Sequence, residues 1–330
     1  MDEEIGCHAG KGGPVKIQKQ QMMRTVLIGL APLGAAAIYF FGWRFLAVLA
    51  VVAASGVLSE FLMAKRYGFK MTEALFVSCF LFALSLPPTI PLWMAAVGMA
   101  FGIVFGKMVF GGFGKNVFNP AISARAFVYV SFGVPLTAEF ITPAAMPGGL
   151  FPGGFGTWLS QADVVSSATP LVTGEAGLGS LFLGFVPGSF GETSALLVLI
   201  GGLYIVWKKA ANWRLTVSSA VAFLILQTIF WASGVDGAYD PLYSLMSGSF
   251  LLAVFFMITD PVSSSQTTNL GRWIYGGLFG AVTVLIRVFA NWPEAVTFAI
   301  LFANMFAPLI DYTIKEQKKK KAAAAKGGKA

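Results

Sequence analysis

The stretch Glu73-Ala74-Leu75-Phe76-Val77-Ser78-Cys79-Phe80-Leu81-Phe82-Ala83-Leu84-Ser85-Leu86-Pro87-Pro88 is apolar enough to enter a membrane but too short to cross one. A spanning helix needs about 20 apolar residues to traverse roughly 30 Å of hydrocarbon, and the paired prolines forbid a regular continuation. The design returns far down the chain, where the apolar run from Gly248 to Thr259 closes on Asp260-Pro261. Each short run is followed by a Gly-rich span, Trp93 to Phe110 and Trp273 to Ala290, and each half then ends in a span opened by a proline, Pro120 and Pro293. Two ordinary spans precede each short one. Five spans per half is an odd number, so the halves must cross in opposite directions. Paired short or proline-broken spans in an inverted repeat mark where a transporter-like site lies.

Outward from these runs, the whole chain has the same character. Of its 330 residues 56% are hydrophobic and 12% charged, where an average soluble protein is about a quarter charged. The apolar residues come in long runs without the ten-residue alternation of a membrane barrel. The fold class is therefore an all-α polytopic membrane protein of about ten spans in two inverted five-helix repeats with broken helices. The spans are expected at 24–41, 43–63, 73–86, 91–109, 120–134, 191–207, 215–232, 248–259, 273–289 and 295–311.

Net charge is +8, but the cations sit in short loops and tails, which is a signature of topology control and not of a nucleic-acid surface. With the N-terminus cytoplasmic, all the Lys and Arg except Arg44, Arg125 and Arg287 fall on the cytoplasmic side or at its boundary. The segment 135–190 has neither Lys nor Arg and is expected outside. This divides the chain into a cytoplasmic, poorly ordered tail (1–23), a first repeat (24–134), an outward-facing loop (135–190), a second repeat (191–312) and a disordered Lys/Ala-rich cytoplasmic tail (313–330). Cys7, Cys79 and His8 are too few and too scattered for a disulfide framework, a haem or a His/Cys metal site. No cleavable signal peptide is expected.

Among the carboxylates, Glu73 and Glu192 stand at expected helix starts, where the dipole favours an anion. Asp260 closes a span too short to reach both surfaces, which places it beside unwound backbone at membrane depth and makes it the better ion-site candidate. The glycines of Gly111-Gly112-Phe113-Gly114-Lys115 lack the spacing of a phosphate loop and read as a tight connection. Arg125 and Lys107 flank that connection, and Arg125 requires a partner, a carboxylate or a cofactor phosphate. Trp43, Trp93, Trp213, Trp273 and Trp292 fall at expected interfaces, as an aromatic belt does. In the outer loop, Asp163-Val164-Val165-Ser166-Ser167-Ala168-Thr169-Pro170-Leu171 forms a polar island whose Ser and Thr read, by themselves, as turn and cap residues.

Several segments together resemble the family that joins the D subunit of Rnf electron-transport complexes with the B subunit of the Na⁺-translocating NADH:quinone oxidoreductase, over about residues 24 to 312. They are Leu86-Pro87-Pro88-Thr89-Ile90-Pro91-Leu92-Trp93, Gly114-Lys115-Asn116-Val117-Phe118-Asn119-Pro120-Ala121, Pro187-Gly188-Ser189-Phe190-Gly191-Glu192-Thr193-Ser194, Thr259-Asp260-Pro261-Val262 and Ala307-Pro308-Leu309-Ile310-Asp311. The family's flavin-attachment motif, roughly Asp-Gly-x-Ser/Thr-Gly/Ala-Ala-Thr, is matched by Asp163, Ser166, Ala168 and Thr169, while Val164 and Ser167 replace glycines often seen there. The resemblance implies FMN joined through its phosphate to the Thr169 hydroxyl by a flavin transferase. An exposed hydroxyl is expected, with the ring left free for redox work.

The resemblance further implies that Glu73, Asp260 and Asp311 belong to an ion pathway for Na⁺ or H⁺, and it associates the B subunit with non-covalent riboflavin and a quinone site. Partner subunits of a multi-subunit redox complex in a bacterial cytoplasmic membrane would carry the NADH, ferredoxin and iron–sulfur sites, since this chain has no cysteine cluster. Length and Ile38-Tyr39-Phe40-Phe41-Gly42-Trp43-Arg44 look like Rnf, whereas Ala299 to Asp311 and Thr259 to Ser264 lean towards the quinone reductase. The expectation is an Rnf-type subunit, with the B subunit of the Na⁺-translocating enzyme as the alternative. The rivals of another class are a transporter or channel without a redox role and a structural subunit that has lost its flavin.

Overall fold

The computed structural model describes residues 17–137, 140–143, 154–159, 169–265, 268–290, 292 and 294–327. Every one of the ten expected spans contains a helix. In the first half these are α1 (Gln21–Phe41), α2 (Arg44–Tyr67), α3 (Ala74–Leu84), α4 (Leu92–Ile103, continued by a π-helical turn Val104–Met108) and α5 (Pro120–Ser131). Short helices α6 (Gly133–Thr137), α7 (Pro170–Thr173) and α8 (Leu178–Leu183) belong to the long connection. The second half has α9 (Ala195–Trp207), α10 (Trp213–Ala232), a short α11 (Pro241–Met246), α12 (Phe250–Leu252, continued by the π-helical turn Ala253–Met257), α13 (Asn269–Phe289) and α14 (Ala295–Gly327). Among the described residues five helices are long and apolar enough to cross a membrane by themselves, in α1, α2, α10, α13 and α14.

Local chemistry explains the boundaries. Asn119 accepts from the Ala121 N–H at 3.0 Å ahead of Pro120 at the first helical position, Asn212 accepts from Arg214 N at 3.1 Å, and Thr268 accepts from Gly271 N at 2.9 Å. α3 stops at Leu84 because Pro87 and Pro88 follow within one turn. The Gly-rich connection is the tight turn expected of it, with Gly111, Gly112 and Gly114 all at positive φ.

Contacts between helices come in matched pairs when the halves are exchanged. α2 packs on α4 as α10 packs on α13, and α4 on α5 as α13 on α14; α1 meets its counterpart α9, and α5 meets α14. Where α1 crosses α9 the backbones themselves touch: a Cβ on Gly29 would stand 2.5 Å from Ile205 Cγ2, and one on Gly201 would fall on the Gly29 carbonyl oxygen. Close backbone approach through small residues is how membrane helices gain packing without a hydrophobic drive. α4 and α13 carry the same spacing, Gly98 with Gly102 and Gly276 with Gly280, but α4 turns its pair to α5 and α13 turns its pair to α10.

Two expectations about the tails are corrected. Ile17–Gln18 pairs in parallel with Met71–Thr72, so the chain before α1 is held and not wholly a loose tail. α14 runs on as helix to Gly327 because Lys, Glu, Gln and Ala are strong helix formers that need no tertiary support to favour that state. The belt tryptophans Trp43, Trp93, Trp213, Trp273 and Trp292 are all exposed on the bundle surface, as expected.

Candidate functional site

Two pockets occupy opposite ends of the bundle, and α9 measures the separation. One pocket is lined by Glu192 and Thr193, just ahead of α9, and the other by Ala210, just after it. The 13 residues of α9 span about 20 Å at 1.5 Å each.

The pocket at the starts of α1, α3 and α5 is bordered by Lys107, Asn116, Asn119, Thr259 and Asp260 among apolar side chains. Both π-helical turns reach it, through Lys107 and Phe256, and such turns often accompany functional sites. Lys107 Nζ is buried, 2.7 Å from Glu60 Oε2 and 3.1 Å from Thr72 Oγ1, and Glu60 Oε1 also accepts from Thr72 N at 3.2 Å. Asp260 is half-buried and caps the turn after its helix. Its Oδ2 accepts from Ser263 Oγ at 2.5 Å and Ser263 N at 3.3 Å. Asp311 borders a neighbouring pocket and accepts from Ser265 Oγ at 2.6 Å, so a single serine-rich turn binds both carboxylates. The broken ends also touch across the halves, where Asn119 Nδ2 donates to the Met257 carbonyl at 3.4 Å.

Glu73 stands apart from this group. Its carboxylate is gripped by Arg24 (Nη2 to Oε1 2.5 Å, Nε to Oε2 2.9 Å) and by Gln20 N at 2.6 Å, and it makes no capping bond to α3. Glu192 likewise does not cap α9: Ser194 does, while Glu192 Oε1 accepts from Ser189 N at 3.0 Å and Ser189 Oγ at 2.7 Å.

At the other end, Thr169 immediately precedes α7 and borders a pocket with Pro170, Gly188, Glu192, Thr193 and Gly248. Asp163, Ser166, Ser167 and Ala168 lie outside the described residues. Thr169 is 8% exposed, which corrects the expectation of an exposed hydroxyl. The cause is packing from α11, whose Tyr243 Oη donates to the Pro170 carbonyl at 2.7 Å and draws the start of α7 against the bundle. Burial pushes the Tyr243 phenol up from its ordinary value, which keeps it a donor. The Thr169 hydroxyl makes no capping bond to α7.

The three arginines that break the charge rule share one task. Arg44 donates to the carbonyls of Thr89 (3.2 Å) and Ile90 (2.7 Å), Arg125 to that of Ser85, and Arg287 to those of Ser244 (2.7 Å) and Ser247 (3.2 Å). These carbonyls lie at the ends of α3 and α11 and, for Arg44, in the connection between α3 and α4, where broken helices leave acceptors that hydrocarbon cannot satisfy. Among the described residues only Arg125 of the three also has a carboxylate at ion-pair distance, Glu294, at 2.6 Å and 2.8 Å. Arg44 and Arg287 each keep a buried Nε without a hydrogen-bond partner among the described residues.

Two carboxylates central to this geometry, Glu60 and Glu294, escape the sequence reading. Glu60 carried a signal, being a carboxylate inside an expected span, where its cost demands a partner. Glu294 carried none, since it sits at an expected span edge next to Pro293.

Comparison with known proteins fits this architecture. The family described as "NQR2, RnfD, RnfE" matches residues 14–320. The B subunit of a Na⁺-translocating NADH-quinone reductase from Pseudoalteromonas atlantica is 39% identical over 308 residues, covering 91% of this chain and 74% of that protein. Its namesake from Neisseria meningitidis serogroup B is 39% identical over 291 residues, covering 86% and 70%. These relatives favour the quinone-reductase branch over the expected Rnf branch. The chain is a multi-pass membrane protein that belongs to the NQR2, RnfD, RnfE family.

Proposed function

We propose that this chain is the B subunit of a Na⁺-translocating NADH-quinone reductase, carrying FMN on Thr169. It would work within a multi-subunit complex of the bacterial cytoplasmic membrane, with both termini inside and the Thr169 pocket outside. The relatives from Pseudoalteromonas and Neisseria support the branch, since both bear that name. The observation that carries the flavin is Thr169 itself: its hydroxyl borders a pocket and is not committed to capping α7. A buried guanidinium, that of Arg287, whose Nη2 lies 3.2 Å from where a Cβ on Gly248 would stand, suits an anionic ester. The depth of Thr169 fits the phosphate linkage within the pocket and not the ring.

Bound there, a flavin supplies one- and two-electron redox chemistry. The chain's own residues hold the start of α7 through Tyr243 and keep α11 against it. At the opposite end of the bundle, Asp260 and Asp311 are proposed for Na⁺ handling, being carboxylates on neighbouring pockets tied to one serine-rich turn. Glu73, locked to Arg24, is the weaker member of that set. A non-covalent riboflavin or a quinone, if carried by this chain, finds amide, hydroxyl and carboxylate partners among apolar walls in the same cavity.

The test is denaturing gel electrophoresis under ultraviolet light after co-expression with a flavin transferase. The proposal expects a fluorescent band that is lost in Thr169→Ala. A dark wild-type band would favour the transporter or the flavin-free structural subunit. Gene neighbours separate the branches: a soluble NADH-oxidising flavoprotein with one [2Fe–2S] motif marks the quinone reductase, and a cysteine-rich ferredoxin-like subunit marks Rnf.

A further inference from the structure

We infer that Arg287 is the positioning residue for the phosphate ester on Thr169, which rests on the proposed flavin attachment at Thr169. Arg287 sits in the last turn of α13 and is 8% exposed. A positive side chain there suits the helix dipole, and its face is covered by Phe223 and Phe250, with the guanidinium carbon 5.5 Å and 5.9 Å from their ring centres. Those features alone describe a structural arginine. Three further observations point to an anion.

First, no carboxylate lies within ion-pair distance of Arg287 among the described residues, whereas Lys107 and Arg125 each have one. A buried cation hydrogen-bonded, among the described residues, to carbonyls alone and with its Nε left over is an incomplete arrangement. Second, the guanidinium borders the right place. A Cβ built on Gly248 would stand 3.2 Å from Arg287 Nη2 and 3.6 Å from Leu171 Cδ2, and Gly248 shares its pocket with Thr169, two residues before Leu171. Gly248 adopts φ +68°, so the position favours glycine, and Gly248 itself puts no side chain between the guanidinium and the pocket it lines. Third, one short helix positions both groups. α11 pins Pro170 through the Tyr243 hydroxyl and pins Arg287 through the Ser244 carbonyl, with the Ser247 carbonyl just beyond its end.

Glu192 borders the same pocket, held through Oε1 by Ser189. A phosphate diester on Thr169 would add a second anion beside it, and the Arg287 guanidinium, which has no carboxylate at ion-pair distance among the described residues, offsets that repulsion. Arginine also suits phosphate through its fork of N–H donors.

The test compares full-length wild type with Arg287→Met and Arg287→Lys, each made with and without a co-expressed flavin transferase. Intact mass reports whether Thr169 carries the FMN adduct. The readout is the difference in unfolding midpoint between modified and unmodified forms of the same variant. Modification should raise the midpoint of wild type, raise it less in Arg287→Lys, and leave it unchanged in Arg287→Met. An equal rise in all three overturns the role of Arg287, because a purely structural arginine lowers both forms together. Should Arg287→Met fail to fold, the ³¹P resonance of the ester in Arg287→Lys decides: a shift from wild type supports the contact, and an unmoved resonance overturns it. Wild type without the adduct mass overturns the Thr169 reading and this inference with it, whereas adduct with an unaltered increment removes Arg287 alone.

Discussion

Arg125 and Glu294 lie 169 positions apart in sequence yet form a buried two-point ion pair, Nη2 to Oε1 at 2.6 Å and Nε to Oε2 at 2.8 Å, that ties α5 to the start of α14. Thr297 Oγ1 donates to the same Glu294 at 2.9 Å, and Arg125 also satisfies the Ser85 carbonyl at the end of α3. Removing one partner strands the other charge, so Glu294→Ala should destabilise the protein by about 3–5 kcal/mol. The double replacement Arg125→Met with Glu294→Leu should recover part of that loss. Denaturant unfolding in detergent reads both, and a single variant within about 0.5 kcal/mol of wild type would deny the pair its structural role.

Thr169→Val removes the hydroxyl and keeps the shape. Because that hydroxyl makes no capping bond, the unmodified protein should change in stability by less than about 0.5 kcal/mol, where an ordinary cap deletion costs about 1 kcal/mol. The fluorescent band should vanish in the same variant. A large loss of stability in the unmodified form would mean that the hydroxyl serves the fold.

Asp260 does two things that substitution can separate. Asp260→Asn keeps an acceptor for the turn at Val262 and Ser263, and Asp260→Ala does not, so Ala should be less stable by about 1 kcal/mol. Both should weaken the Na⁺ dependence of electron transfer in the assembled complex. Unchanged sodium half-saturation in the Asn variant would remove Asp260 from the ion pathway.

Gly201→Ala places a methyl group on the carbonyl of Gly29, and backbone cannot rotate aside as a side chain can. The crossing of α1 and α9 must widen, at a cost of about 1–3 kcal/mol. Thermal unfolding measures it, and an unchanged midpoint would mean that the two helices separate freely.

The spans were legible in the sequence because length and proline placement are local properties: the run Glu73 to Pro88 fails to reach 20 apolar residues whatever surrounds it. The inverted arrangement followed from an odd span count. The site was legible only where a residue's cost betrayed it, as with Arg125, whose need for a partner was plain while the identity of Glu294 was not. Partner choice depends on which helix ends meet, and no periodicity encodes that. The π-helical turns were invisible for a related reason, since one extra residue in a turn leaves apolar runs unbroken. The extended helix to Gly327 shows the reverse error: its charge read as disorder, while its intrinsic propensity favoured helix.

Arg44 and Arg287, with no carboxylate of their own in the described structure, have an electrochemical consequence. Among the described residues, charge held inward at the Thr169 end is tilted positive, because Arg125 is cancelled by Glu294 and Glu192 opposes only one of Arg287 and the half-buried Arg44. At the far end Lys107 is cancelled by Glu60, while Asp260 and Asp311 add negative charge. In a low-dielectric interior such a gradient is weakly screened. With the proposed flavin on Thr169, this gradient would favour an electron moving toward it, and a cation drawn the other way would meet carboxylates at its destination.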